Sequence, residues 1–123
     1  MAAVARVKVE AIVEENGGRI ANQAKRESRF VPGVGNGQRQ TVSLTGSAFT
    51  ALTVPSGAKA VMILLGTAVS LTLKGVTGDT GITIAPASAP IADAFICLPL
   101  GATPSIGIAN GSASAQSVEV IWF

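Results

Sequence analysis

The chain predicts an all-β fold: a jelly-roll or β-sandwich of about eight short strands, preceded by an extended N-terminal arm. Three observations carry this. After residue 40, short runs rich in Val, Ile, Leu and Thr recur at the roughly 8–12-residue spacing of sandwich strands. Pro86, Pro90, Pro99 and Pro104 fall between those runs, where a missing N–H harms no ladder. Charge is divided unevenly, with eleven of the sixteen charged residues in the first 40 positions. The chain therefore divides into an arm and linker, 1–40, and a strand-patterned body, 41–123.

In the arm, residues 4–14 alternate, with Val7, Val9, Ala11 and Val13 on one side and Lys8, Glu10, Ile12 and Glu14 on the other, the period of a strand. Asn16-Gly17-Gly18 is a turn signal. Residues 19–30 tolerate a short helix, through Ala21, Ala24, Lys25, Arg26 and Glu27, although no segment of the chain makes a convincing one. The apolar face of such a helix is only Ile20 and Ala24, so it needs a partner to persist. Val31-Pro32-Gly33-Val34-Gly35-Asn36-Gly37 is a linker that cannot sustain regular structure.

In the body, Thr41–Thr45 sets Val42 and Leu44 on one face, and Thr50–Val54 sets Leu52 and Val54 inward. Pro55-Ser56-Gly57 turns the chain into Lys59–Leu65, a continuous apolar run expected of a strand covered on both faces. Val69–Lys74 alternates cleanly, and the turn-rich Gly75–Gly81 leads to Ile82–Ala85, Asp93–Leu98, Ser105–Ala109 and Ser117–Phe123. A strand ending at Phe123 frays unless it is paired or docked, and it is expected inside a sheet, with Trp122 or Phe123 filling the core or a subunit contact.

Composition limits the chemistry. Charged residues make up 13% of the chain, about half the usual globular share. The arm carries a formal charge of +3 and the body −1, the latter from Lys59, Lys74, Asp79, Asp93 and Glu119. With no His, Ser-His-Asp and Cys-His catalysis are excluded. Cys97, the single cysteine, lies in Ala94-Phe95-Ile96-Cys97-Leu98 and reads as a small buried hydrophobe. One Cys and scattered carboxylates make no zinc site. Asp79 in Thr77-Gly78-Asp79-Thr80-Gly81 reads as a turn residue rather than a calcium ligand. Glu14 and Glu15 are adjacent, so a strand points them to opposite faces rather than pairing them for catalysis. Gly33–Gly37 lacks the Lys-Ser/Thr ending of a phosphate loop. Asn110-Gly111-Ser112 matches a glycosylation acceptor, but the opening residues meet a charge at once and show no signal peptide. The apolar stretch Ala58–Leu73 is interrupted and falls short of the roughly 20 residues that span a bilayer. The expectation is a non-enzyme with no cofactor, metal or membrane partner.

Lys25-Arg26-Glu27-Ser28-Arg29 is the densest basic cluster and suits an acidic protein surface. Nucleic acid is a poor fit, since Glu27 interrupts the cluster and no aromatic platform accompanies it. Phe49 and Phe95 fit core positions, and Phe30 stands alone. Sugar binding is likewise poorly supplied, with Trp122 the only Trp and no Tyr.

The body resembles a small β-domain found in tailed-bacteriophage virion proteins. The resemblance rests on Leu52-Thr53-Val54-Pro55-Ser56-Gly57-Ala58-Lys59-Ala60-Val61, Val69-Ser70-Leu71-Thr72-Leu73, Pro99-Leu100-Gly101-Ala102 and Val118-Glu119-Val120-Ile121-Trp122-Phe123. It covers residues 41–123 and does not extend to the arm. Proteins similar to this are head decoration (cement) proteins, which bind the outer capsid surface and brace neighbouring subunits. The resemblance implies a homo-oligomer, dimer or trimer, bound to the major capsid protein on the virion. On that expectation Lys25, Arg26, Arg29, Arg39 and Phe30 contact the capsid, and Trp122 and Phe123 contact another subunit. A collar, tail or fibre-base protein with host-glycan binding is the alternative.

Overall fold

The computed structural model describes residues 3–15, 18–34, 37–88 and 93–123, with side chains described outside 12–23. Among these, every regular element is a strand: β1 (Ala5–Glu15), β2 (Gly18–Phe30), β3 (Gln38–Leu44), β4 (Ala48–Ala51), β5 (Ala60–Gly66), β6 (Leu71–Lys74), β7 (Ile82–Ala85), β8 (Ala94–Pro99), β9 (Gly107–Asn110) and β10 (Gln116–Trp122). The β1–β2 pair forms a separate two-stranded hairpin. The other eight strands make two four-stranded antiparallel sheets, ordered β3-β10-β5-β8 and β4-β9-β6-β7.

The pairings β3 with β10, β4 with β9, β5 with β8 and β6 with β7 are nested. They describe one long antiparallel ribbon folded at the β6–β7 end and rolled up, so that successive pairs fall in opposite sheets. The β10–β5 and β6–β9 pairings are the seams where the roll meets itself. This is a jelly roll. β10 lies between β3 and β5, inside its sheet as the sequence predicts.

The core fills the space between the sheets. Leu44, Val61, Ile63, Leu71, Ile108, Val120 and Trp122 are each 0% exposed. Register accounts for this: Val61 lies opposite both Trp122 and Leu98, and Ile63 opposite both Val120 and Ile96, so these residues share the inward face. Met62 and Leu64, on the other face of β5, are only half-buried. The apolar run of β5 is thus covered on one face and partly open on the other.

Two aromatic rings expected in the core lie outside it. Thr50 sits opposite the buried Ile108, which turns Phe49 outward. Its ring lies across Gly107, where an added Cβ would come 2.4 Å from Phe49 Cζ. Phe95 pairs with Leu64 on the outer face and is 46% exposed.

Residues 19–30, which tolerate a short helix by propensity, form strand β2. As a helix, its Ile20 and Ala24 stripe had nothing to cover it. As a strand, its backbone is satisfied against β1 in a register that sets Glu27 opposite Lys8 and Ala24 opposite Ala11. Asn16 and Gly17 of the predicted turn lie outside the described residues, as do the side chains of Glu14 and Glu15. So do Gly35 and Asn36 of the glycine run, and Ala89 and Pro90 of the loop before β8.

Candidate binding surface

The hairpin is built from alternation. From Ala5 to Ala11 and from Ala24 to Phe30 the register is regular, so each face can be read from the pairs. One face holds Arg6, Lys8, Glu10, Lys25, Glu27 and Arg29, four basic against two acidic side chains. Glu27 is its hub, with Arg29 Nε at 2.5 Å, Arg6 Nε at 3.2 Å and Lys8 Nζ at 3.9 Å. These side chains are largely exposed, so the pairs orient one another and add little stability. The face keeps a positive balance.

The opposite face carries Ala5, Val7, Val9, Arg26, Ser28 and Phe30. It turns toward the outer face of the β3-β10-β5-β8 sheet and leaves an open cleft of about 500 Å³. Val7, Val9 and Phe30 line it from the hairpin, and Ala60, Cys97 and Pro99 from the sheet, with Arg26 and Lys59 also contributing. Burial here raises the pKa of the Cys97 thiol, because removal from water disfavours the thiolate. The thiol is therefore a poor nucleophile and reads as part of an apolar lining.

The hairpin is tied to the body at its base. The Phe30 and Phe123 rings meet edge to face, with centroids 6.2 Å apart and an interplanar angle of 88°. Lys59 Nζ donates to the Val31 carbonyl at 3.0 Å. Gly33 lies against the Gly57 carbonyl so closely that a Cβ would sit 1.7 Å from its oxygen. Val34 packs against the sandwich core. The described linker residues, 31–34 and 37, have no regular structure, as predicted, yet residues 31–34 are docked.

The residues predicted to bind do not form one patch. Lys25 and Arg29 share the charged hairpin face. Arg26 lies on the opposite face and lines the cleft beside Phe30. Arg39 lies in β3, on the edge of the body sheet, and is ion-paired with Glu119 of β10. Trp122 is 0% exposed, so its ring belongs to the core and leaves any subunit contact to Phe123, which is half-buried. The Trp122 indole N–H has no hydrogen-bond partner among the described residues. Sequence reasoning missed Val7 and Val9 as cleft residues and Glu27 and Glu119 as organising carboxylates. The signal was the alternation Ala24, Arg26, Ser28, Phe30 against Lys25, Glu27, Arg29.

The remaining candidates are structural. Asp79 Oδ2 accepts from the Gly75 and Val76 amides at 3.1 and 3.0 Å, which closes its own turn. Among the described residues no group of three or more His, Cys, Asp or Glu side chains comes together to hold a metal. Asn110 is 2% exposed and its amide is fully engaged. Nδ2 donates to the Leu44 and Ser114 carbonyls, and Oδ1 accepts from the Ser112 amide and from Gln116 Nε2. A glycan cannot be attached there in the folded protein. Among the described residues no helix is long and apolar enough to cross a membrane.

Comparison with protein-family models, with curated proteins and with solved structures gives no match.

Proposed function

We propose that the chain is a structural virion protein that binds the outer surface of a bacteriophage capsid, braces contacts between major capsid protein subunits, and acts as a homo-oligomer without catalysis. The observation that carries this reading is the two-faced hairpin docked on a charge-poor jelly roll. Its outward face is cationic and suits an acidic protein surface. Its other face and the adjoining sheet offer apolar area at the same end of the molecule. Many modest contacts of this kind, repeated over a lattice, give strong attachment without any single tight site. The resemblance of residues 41–123 to phage head proteins supplies the partner class.

The test is cosedimentation of the purified full chain with empty shells assembled from the major capsid protein of a tailed bacteriophage that carries this chain. Wild type is expected to pellet with shells, and the double variant Lys25→Glu, Arg29→Glu to lose most of that binding. Absence of wild-type binding, or undiminished binding by the variant, overturns the reading or the role given to the hairpin, respectively. Copy number in the particle separates decoration from the collar or tail alternative.

A further inference from the structure

A jelly roll leaves four sheet edges, and each is a row of unpaired backbone donors and acceptors. Here they are β3, β8, β4 and β7. β4 and β7 have four residues each, too short to template much. β3 carries Arg39 and a polar sequence, Gln38-Arg39-Gln40-Thr41-Val42-Ser43. These are the usual protections. β8 has neither: it runs six residues, Ala94-Phe95-Ile96-Cys97-Leu98-Pro99, with no charge. Among the described residues β5 is its only strand neighbour.

The direction of its free groups follows from the register. Ala60 and Phe123 exchange backbone hydrogen bonds at 3.2 and 2.9 Å, so Ala60 faces β10 and Val61 faces β8. Val61 pairs with Leu98 and Ile63 with Ile96, so Leu98 and Ile96 point their N–H and C=O groups at β5. Phe95 and Cys97 point theirs away from the sheet. Pro99, next in the outward series, has no N–H and ends the donor row.

We propose that this edge pairs antiparallel with the β8 edge of a second copy, around a two-fold axis at Ile96. That register is self-complementary. Each Phe95 lies opposite Cys97 of the second copy, and the two residues exchange both hydrogen bonds, so all four outward donors find acceptors. Side chains stay in phase, since Phe95 and Cys97 are both on the outer face. Pro99 falls opposite Asp93, just past the pairing. Charge agrees there: Asp93 is exposed, and Pro99 lines the same cleft as Arg26, Lys59 and Glu27, so an acidic residue meets an end with a net positive balance. The occupant is thus fixed as the same chain. The pairing specifies the self-association in the proposed function but does not depend on a capsid. A protein that ignores shells yet dimerises this way leaves it intact.

The test combines sedimentation velocity with amide hydrogen exchange on the full chain. The expected result is a dimer in which the Phe95 and Cys97 amides exchange as slowly as those of Ile96 and Leu98, and lose that protection on dilution. Phe95→Lys, at a 46% exposed position, is expected to give a folded monomer with fast exchange at residues 95 and 97. A wild-type monomer at NMR concentration, a trimer, or a dimer whose Phe95 and Cys97 amides exchange fast overturns the proposal. The wild-type exchange experiment decides the matter even if the variant fails to fold.

Discussion

Replacing Asn110 with Ala tests the polar closure at one end of the sandwich. Asn110 is the one buried polar side chain identified among the described residues. Its amide joins β9 to the end of β3 through Leu44 (3.3 Å) and to the 112–116 segment through Ser112 (3.0 Å), Ser114 (2.9 Å) and Gln116 (2.8 Å). Gln116 in turn is held by both backbone groups of Val69, at 2.6 and 2.8 Å. The bond to Leu44 is buried, and those to Ser112, Ser114 and Gln116 are part-buried, where water can substitute in part. About 1 kcal/mol for the Leu44 bond, about 1 for the three part-buried bonds together and about 1 for the space left behind give a loss of about 3 kcal/mol. For a domain of this size that lowers Tm by about 10–15 °C.

The assay is urea and thermal unfolding by circular dichroism, with Ser112→Ala as control. That control removes only an exposed 3.2 Å contact to the Ser114 amide and is expected to stay within about 0.5 kcal/mol of wild type. Asn110→Asp adds a sign. It turns the donor facing the Leu44 and Ser114 carbonyls into an acceptor, and burial raises its folded-state pKa. Its destabilisation therefore grows as pH rises through the unfolded carboxylate pKa. An Asn110→Ala protein within 0.5 kcal/mol of wild type, by the scale on which surface changes are measured as about neutral, refutes the reasoning.

Gly107→Ala is expected to cost about 2 kcal/mol or more, because its Cβ meets the Thr50 carbonyl at 2.6 Å as well as the Phe49 ring, and the carbonyl cannot move aside. Adding Phe49→Ala should not restore the melting temperature. Trp122→Phe removes a buried N–H with no acceptor, which offsets part of the lost packing, so its loss should stay near 1 kcal/mol, against roughly 3–5 for Trp122→Ala. Both are read from urea midpoints. Cys97 should alkylate more slowly in the folded than in the unfolded chain, with a pH midpoint above the ordinary thiol range. The unfolded thiol ionises first as pH rises, so this group's contribution to stability falls above the ordinary thiol pKa, and Cys97→Ser should remove that part of the pH dependence.

The body was legible because its strands obey local rules. Ile82–Ala85 is predicted and observed with the same bounds, since the β-favouring run Ile82-Thr83-Ile84-Ala85 between a glycine turn and Pro86 has little else to become. β9 begins at Gly107 rather than Ser105, although the Leu52 amide still donates to the Ile106 carbonyl at 2.9 Å, one step further along the β4–β9 register. Helix propensity alone does not decide residues 19–30, because it leaves out their strand neighbour. The alternation of β1, a turn signal and a second alternating run are together a hairpin signature, and cross-strand pairing outweighs a weak helical preference. The binding surface was legible only as composition. Which basic residues share a face depends on the strand period, and a helical reading of residues 19–30 gave no reason to separate Arg26 from Lys25 and Arg29.

The placement of that surface follows from topology, and this yields one more prediction. In a nested ribbon the first and last strands are partners, so the chain entering β3 and the chain leaving β10 lie side by side, with Gln38 opposite Trp122. The hairpin base and Phe123 are thus brought to one end whatever the hairpin's own sequence. The edge-to-face Phe30–Phe123 pair, with Phe123 carbon atoms about 3.5 Å from where a Gly37 Cβ would lie, converts proximity into a fixed angle. Phe123→Ala removes the ring but keeps the backbone bonds between Phe123 and Ala60 that hold the end of β10. The body should therefore lose only about 1–2 kcal/mol. The hairpin should loosen more, seen as faster amide exchange across residues 24–34 and earlier proteolysis in the linker, while core amides such as Val120 stay protected. Equal loosening of both parts would mean that Phe123 is simply core. No change in either would mean that the hairpin's orientation owes nothing to this contact.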